Sequence, residues 1–280
     1  MERFGKRLLV ETGYPGANVS CVITARGLVL IDTPMRPNDA RDWANRVKSE
    51  TGREIAFLIC TDHHYDHVMG SPFLTDRVIC HTTAARGFRF LNDKEALKNT
   101  IRATFPQEAR EIEEELEQIA FASPVLSFDR RLVLDMGDAT FHLEFVGGNS
   151  PGTILIHLPE ERTLFTGDNV ETQFPYFGQS RFSAWQEALL KMKALDVVRV
   201  VPGHGYVGGP ELIDDYIAFF REIEEEVRGF HRQGLTADQM AEKSAALHRF
   251  PRMETGGEGQ AGAWLAGQYK LAVEAILAEK

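Results

Sequence analysis

The sequence predicts an α/β fold of two layered β-sheets flanked by helices, with a helical extension at the C-terminal end. Three observations predict it. Short apolar or β-branched runs punctuated by glycine occur in two blocks, one in each half of the chain. Each block gives way to apolar residues three or four apart, the period of an amphipathic helix. From about residue 211 the tail keeps that helical spacing. There is no internal repeat of short period and no low-complexity segment.

In the first half, LLVET, NVSCVIT and GLVLIDT read as strands of a meander broken by Gly13, Gly16 and Gly27. Asn38 is expected to cap a helix that carries Trp43 and Val47 and stops at Gly52. Asp32, closing LVLID, either orients a ligand of a nearby site or caps the turn at Thr33 and Pro34. IAFLIC reads as a buried strand that ends abruptly in TDHHYDHVMG. RVICH is the next strand, and the solitary His81 beyond its apolar run is expected to be a hydrogen-bonded structural residue. From Asp93 to Ala122 helix formers dominate, with Ile112, Leu116 and Ile119 on one face and Glu111, Glu113, Glu114, Glu115 and Glu117 around the rest. The acidic run reads as a solvated face; as an insertion between strands, the segment could also cover a site as a lid.

The second half returns to strands in RLVLD, ATFHLEFV, TILIHLP and RTLFTGD, with the loop GGNSPGT between the second and third. Helical spacing resumes at Trp185, Leu189, Met192 and Leu195, and VVRVVPGHGYVGGP reads as a strand followed by a glycine-rich loop. In the tail, Leu212, Tyr216, Phe219, Ile223 and Val227 make one core-facing stripe, and Thr236 with Gln239 makes a capping box for the next helix.

A chain of 280 residues, 43% of them apolar, can bury a sizeable core as one large domain or one domain plus a helical appendage. Its net charge of −10 argues against a polyanionic partner, so nucleic acid is disfavoured. Cys21, Cys60 and Cys80 are odd in number, widely spaced and set in or beside apolar runs, which reads as buried free thiols in a reducing compartment. The opening MERFGKRLLVETGYPG has only three consecutive apolar residues, and no later stretch could span a bilayer. The expectation is a soluble cytoplasmic protein that acts on a small molecule and has no membrane segment.

The chain is organised around Ile55 to Gly70. Within TDHHYDH, seven residues hold three histidines and two aspartates just past a strand end. Side chains that crowded would repel or desolvate one another unless a cation gathers them; the alternative is a polar turn that happens to be histidine-rich. Three further loops, Gly147 to Gly152, Gly167 to Asn169 and Gly203 to Gly205, also follow apolar strands, where open sheets put their ligand sites.

In order and character these segments resemble the metallo-β-lactamase fold superfamily. DHHYDH stands for the usual HxHxDH, GGNSPG for the later histidine loop, FTGDN for the bridging aspartate and PGHG for the last histidine. The resemblance implies a four-layer αββα sandwich of two mixed sheets over residues 1–210, with a helical insertion at about 93–122, and a C-terminal helical extension, 211–280, packed on the same domain. It also implies that Asp66, His67 and His204, with Asp168 as the carboxylate shared by both metals, make one complete metal site. The other keeps His64 and Asp168, while Asp62 and Asn149 stand where the family has histidines. His63 is out of phase and is given no ligand role. A carboxylate and an amide oxygen make that site weaker for zinc yet acceptable to Mn2+, Fe2+ or Mg2+. At least one metal is therefore expected, Zn2+ at the intact site, with the second left open.

The function implied is that of a metal-dependent hydrolase. The ion lowers the pKa of a bound water to about 7, and the hydroxide attacks an ester, thioester, lactone or phosphoester-type substrate. Asp62, if it is not a ligand, orients the water or acts as general base; if it is one, Asp66 and the metal share that role. The segment FPYFGQSRF, with Tyr176, Gln179 and Arg181, either lines a pocket for an apolar substrate carrying an anionic group or packs on its own aromatics. Tyr206 either donates a hydrogen bond to the oxyanion or packs. Members of the superfamily cleave thioesters, lactones, β-lactams, phosphodiesters and sulfate esters, and fold alone does not choose among these. A secreted lactam-degrading enzyme is disfavoured by the missing export signal. Two rivals remain: an iron-dependent oxygenase or redox member, and a catalytically silent binding protein, the latter motivated by Asp62 and Asn149.

Overall fold

The computed structural model describes residues 1–104, 106–107, 109–117, 119–173, 175–249 and 258–279. The strands form two mixed sheets, one of seven strands and one of five, and helices follow them to the C-terminal end, as the predicted fold class requires. By compactness the chain divides into two units, Met1–Phe145 with Ile154–Glu161, and Val146–Thr153 with Arg162–Lys280.

The first unit opens with an antiparallel meander, β1 (Glu2–Phe4), β2 (Leu8–Glu11), β3 (Val19–Thr24) and β4 (Gly27–Ile31). Helix α1 (Pro37–Thr51) then carries the chain across to β5 (Ile55–Ile59), which pairs in parallel with β4; β6 (Val78–His81) and β7 (Leu126–Phe128) continue in parallel. The register sets Cys21 against Leu30, Leu30 against Leu58 and Leu58 against Val78. One alternating set, Leu28, Leu30, Leu58, Cys60, Val78 and Cys80, packs with Trp43 and Val47 of α1 in a single apolar cluster. The residues between them, such as Val29, Ile31, Ile59 and Ile79, are buried as well, so both faces of this sheet are covered. Burial pushes the Cys21 and Cys80 thiols up to about 12 and Cys60 well above its usual range, which suits the expected inert free thiols.

The cap of α1 differs from expectation. Pro37 is the first helical residue and Arg36 the cap, while Asn38 lies in the first turn, accepting from the Arg41 guanidinium at 3.0 Å. A proline has its φ preset and no N–H to satisfy, so it suits the first turn better than any later position. The helix does end at Gly52, in the left-handed region. The edge strands β1 and β7, three residues each, carry too little pattern to read from sequence.

The 93–122 insertion forms α4 (Lys94–Thr104) and α5 (Ala109–Glu117), and its Leu97, Ile101, Ile112 and Leu116 join the apolar cluster. Glu113, Glu114, Glu115 and Glu117 pair with Arg102, Arg110, Arg41 and Lys98 at 2.6–2.8 Å. This is the solvated face expected, and such exposed pairs each add little stability. Strands β8 (Arg131–Asp135), β9 (Thr140–Phe145) and β10 (Ile154–Leu158) complete the unit as an antiparallel set.

In the second unit, β11 (Thr163–Gly167) and β12 (Arg199–Pro202) pair in parallel, joined through α6 (Phe182–Lys193). Helix α6 buries Trp185, Leu189 and Met192 as predicted but stops before Leu195. Helix α7 (Glu211–Arg232) turns its predicted stripe inward, with the Phe220 ring 4.9 Å from both Trp185 and Phe182. The capping box at Thr236 opens α8 (Ala237–Lys243), and α9 (Glu258–Ala278) is the last helix among the described residues. Among the described residues no helix is long and apolar enough to cross a membrane.

Candidate metal centre

In the first unit the donors gather at the ends of β4 and β5. The apolar run of β5 stops at Ile59, and two residues later Thr61 donates to Asp32 through both its N–H (2.7 Å) and its hydroxyl (2.6 Å). Asp32 is buried with φ 56°, a conformation that aspartate tolerates better than most side chains. The same carboxylate also meets His67, whose Nδ1 lies 3.0 Å from Asp32 Oδ2. That bond leaves Nε2 as the nitrogen His67 can offer a metal, 3.7 Å from Asp66 Oδ2. Both residues sit on α2 (Tyr65–Val68), a single turn that puts neighbouring side chains close together.

Asp62, wholly buried, lies between two imidazoles, 2.8 Å from His63 Nδ1 and 3.2 Å from His64 Nδ1. The His63 and His64 rings stack with centroids 4.9 Å apart. Burial alone would raise the Asp62 carboxyl; the charge on His64 and hydrogen bonds from His63 and His64 overcome it and hold the group well below the usual carboxylate range. One oxygen and two nitrogens of this group lie within 4.8 Å of one another, close enough to hold an ion. His81 is elsewhere and structural: its Nδ1 accepts the Thr83 N–H and caps α3 (Thr82–Gly87), while Nε2 meets the Asp129 carbonyl.

In the second unit, Asp168 follows β11 and His204 follows β12, and His204 Nε2 lies 3.4 Å from Asp168 Oδ1. Gly203 makes that approach possible, since a Cβ there would fall 2.0 Å from Asp168 Oδ1. Asn149 is wholly buried in the loop before β10. Its Nδ2 donates to the Tyr176 carbonyl at 2.8 Å, and its Oδ1 makes no hydrogen bond among the described residues.

This donor set fits a metal. Two ligands about 2.0–2.1 Å from a tetrahedral zinc lie about 3.4 Å apart, and each unit offers an imidazole nitrogen and a carboxylate oxygen at close to that spacing. The Asp62 carboxylate and the unpaired Asn149 Oδ1 are hard oxygen donors of the kind that suit manganese, iron or magnesium.

Of the substrate-side residues, Phe174 lies outside the described residues. Tyr176 and Arg181 are exposed, and the Arg181 N–H donates to the Gly148 carbonyl at 3.0 Å. Tyr206 is 62% exposed, and its backbone N–H donates to Thr172 Oγ1 at 3.0 Å. Sequence reasoning left Asp32 undecided and missed Thr61, Asn169 and Gln268. Thr61 and Asn169 stand inside quoted motifs, while nothing local marks Gln268.

The family model of the metallo-beta-lactamase superfamily matches residues 13–204. Lactamase-like protein nscB of Arthroderma gypseum is 27% identical over 207 residues, 72% of this chain but only 55% of that protein's length. The human acyl-coenzyme A thioesterase MBLAC2 is 28% identical over 238 residues, 74% of this chain and 82% of the relative. The crystal structure of a metallo-beta-lactamase family protein from Thermus thermophilus is similar with TM-score 0.69 at 21% identity, covering 97% of this chain and 93% of that one, a likeness of fold.

Proposed function

The chain belongs to the metallo-beta-lactamase superfamily, and from that premise we propose that it is a metal-dependent hydrolase whose first substrates to test are thioesters. The observation that carries the reading is the Asp32–His67 pair, a buried carboxylate that engages the imidazole through Nδ1 and leaves Nε2 as the nitrogen to serve a metal, the arrangement metal-ligating histidines use. The thioester choice draws on the likeness to the human acyl-coenzyme A thioesterase and on the exposed Tyr176 and Arg181, which offer an aromatic face and a cation to an apolar substrate with an anionic part.

In this proposal Asp66, His67, Asp168 and His204 hold a zinc-class ion. His64, Asp62, Asn149 and the shared Asp168 make the harder second site, for Mn2+, Fe2+ or Mg2+. When bound, such an ion acts as a Lewis acid that lets water ionise near neutral pH. The chain does the rest. Asp32 and Thr61 keep His67 in one tautomer, Asp62 orients His64, and Asp66 accepts the proton of the attacking water. Tyr206 donates to the developing oxyanion, and Arg181 with Tyr176 binds the substrate. The three buried free thiols and the acidic balance fit a cytoplasmic location and a small-molecule substrate rather than nucleic acid.

The test is a metal count on protein purified without chelator, followed by turnover of ester, thioester, lactone and phosphodiester substrates with Zn2+ and with Mn2+. Asp168→Ala should abolish both metal retention and turnover; activity surviving with a full metal complement removes the scheme. A second reading, a catalytically silent binding member, is favoured by the imidazole partners of Asp62 and the Tyr176 bond of Asn149. Protein without metal, and without rescue by zinc or manganese, leaves that reading alone.

A further inference from the structure

The stretch that follows Asp168 is held by side chains from well-separated parts of the second unit. The Phe177 N–H donates at 2.8 Å to Oε1 of Gln268, a buried polar residue of α9. The Phe177 carbonyl accepts from the Ser180 hydroxyl at 3.0 Å, and its ring lies 5.4 Å from Trp185 and 6.1 Å from Phe220. One residue earlier, the Tyr176 carbonyl takes the Asn149 Nδ2 hydrogen bond. The Asn149 N–H donates in turn to Oδ1 of Asn169 at 2.9 Å, and Asn169 is the residue after Asp168. Asn169 is itself fixed, through Nδ2 on the Gly147 carbonyl and through its own carbonyl on Trp185 Nε1.

This chain of bonds determines which atom Asn149 presents. With Nδ2 committed to Tyr176, the amide cannot flip without losing a buried bond, so the unpaired Oδ1 is the atom left to act as an acceptor. The Tyr176 carbonyl stays in place because its neighbour Phe177 is pinned by Gln268. Gln268 lies well beyond residue 204, where the family match ends.

We propose that Gln268 of the C-terminal helix is a positioning residue: by holding Phe177 it keeps the Tyr176 carbonyl where it locks the Asn149 amide with Oδ1 as its acceptor atom, and it keeps Tyr176 and Arg181 in position for substrate. The claim rests on the hydrolase reading above for its kinetic consequence, but not for its structural one. Nothing covalent is involved. The helix supplies one buried acceptor, and the order of the 175–181 stretch follows from it.

The experiment compares Gln268→Met, which keeps the bulk and deletes the acceptor, with Gln268→Glu, which keeps an acceptor oxygen for the Phe177 N–H. In Gln268→Met the Phe177 amide should exchange with deuterium at least about 10-fold faster and the Asn149 side-chain NH2 resonances should shift. KM for a thioester substrate should rise about 5-fold or more, and Gln268→Glu should restore all three toward wild type. Unchanged Phe177 exchange or an unmoved Asn149 resonance overturns the proposal, as does a changed exchange rate with KM unmoved in an active enzyme. If wild-type protein turns over no thioester, the functional reading alone has failed, and the exchange and resonance measurements still decide the structural claim. If Gln268→Met does not fold, the same measurements on Gln268→Glu decide it, where wild-type protection of the Phe177 amide is expected and its loss overturns the claim.

Discussion

His67 Nδ1 lies 3.0 Å from Oδ2 of Asp32, and the same carboxylate oxygen accepts the Thr61 hydroxyl at 2.6 Å. An imidazole held this way has one tautomer and one ring orientation available. Asp32→Asn keeps the shape but exchanges an acceptor oxygen for a donor in one of its two orientations. Metal affinity is expected to fall about 10- to 100-fold while the fold is kept, measured by competition with a chromophoric chelator. Unchanged affinity would show that His67 is not oriented through Asp32.

Gly203 should be as necessary as the donors themselves. A methyl group 2.0 Å from Asp168 Oδ1 cannot be accommodated without moving that carboxylate away from His204. Gly203→Ala is therefore expected to lose metal at least about 10-fold more readily than wild type although every donor is present, read as metal per chain after dialysis.

His81 makes stability depend on pH. Burial lowers its pKa from the ordinary 6.5, partly offset by the hydrogen bond to the Asp129 carbonyl, and the neutral ring so favoured is the one whose Nδ1 can accept the Thr83 N–H. A histidine with a lowered folded pKa leaves the unfolded chain binding more protons, so its contribution is complete above pH 6.5 and is lost as pH falls from there through the folded pKa. Melting temperatures measured from pH 7.5 to 5 should show this loss, and His81→Asn, a capping residue without a titrating group, should lack that component.

The capping box at Thr236 gives a control that touches none of the candidate donors named above. Thr236 Oγ1 accepts the Gln239 N–H at 3.3 Å while Gln239 Oε1 accepts the Thr236 N–H at 2.9 Å. Thr236→Ala should cost about 1 kcal/mol of stability in a denaturant titration and leave metal content unaltered.

Most of the strands were legible because burial imposes a period on them. LVLI, IAFLI, VICH and TLFTG are apolar runs with little choice but a covered sheet, and the polar loops after them mark where the chain leaves it. The helices of the tail showed themselves through stripes such as Leu212, Tyr216, Phe219, Ile223 and Val227. Three-residue edge strands, the proline start of α1 and the early stop before Leu195 were not legible, because one or two residues carry too weak a pattern to override neighbours.

The residue order by itself determined where the strands end and which imidazoles and carboxylates stand just beyond them, since period and punctuation are local properties. The tertiary structure alone decided what each of those groups does. It turned Asp32 toward a histidine 35 residues away, set Asp62 between His63 and His64, gave the Asn149 amide to Tyr176 and brought Gln268 to a backbone N–H 91 residues distant. Hydrogen-bond partnership depends on which remote atoms the packed core brings within about 3 Å, and no local pattern encodes that.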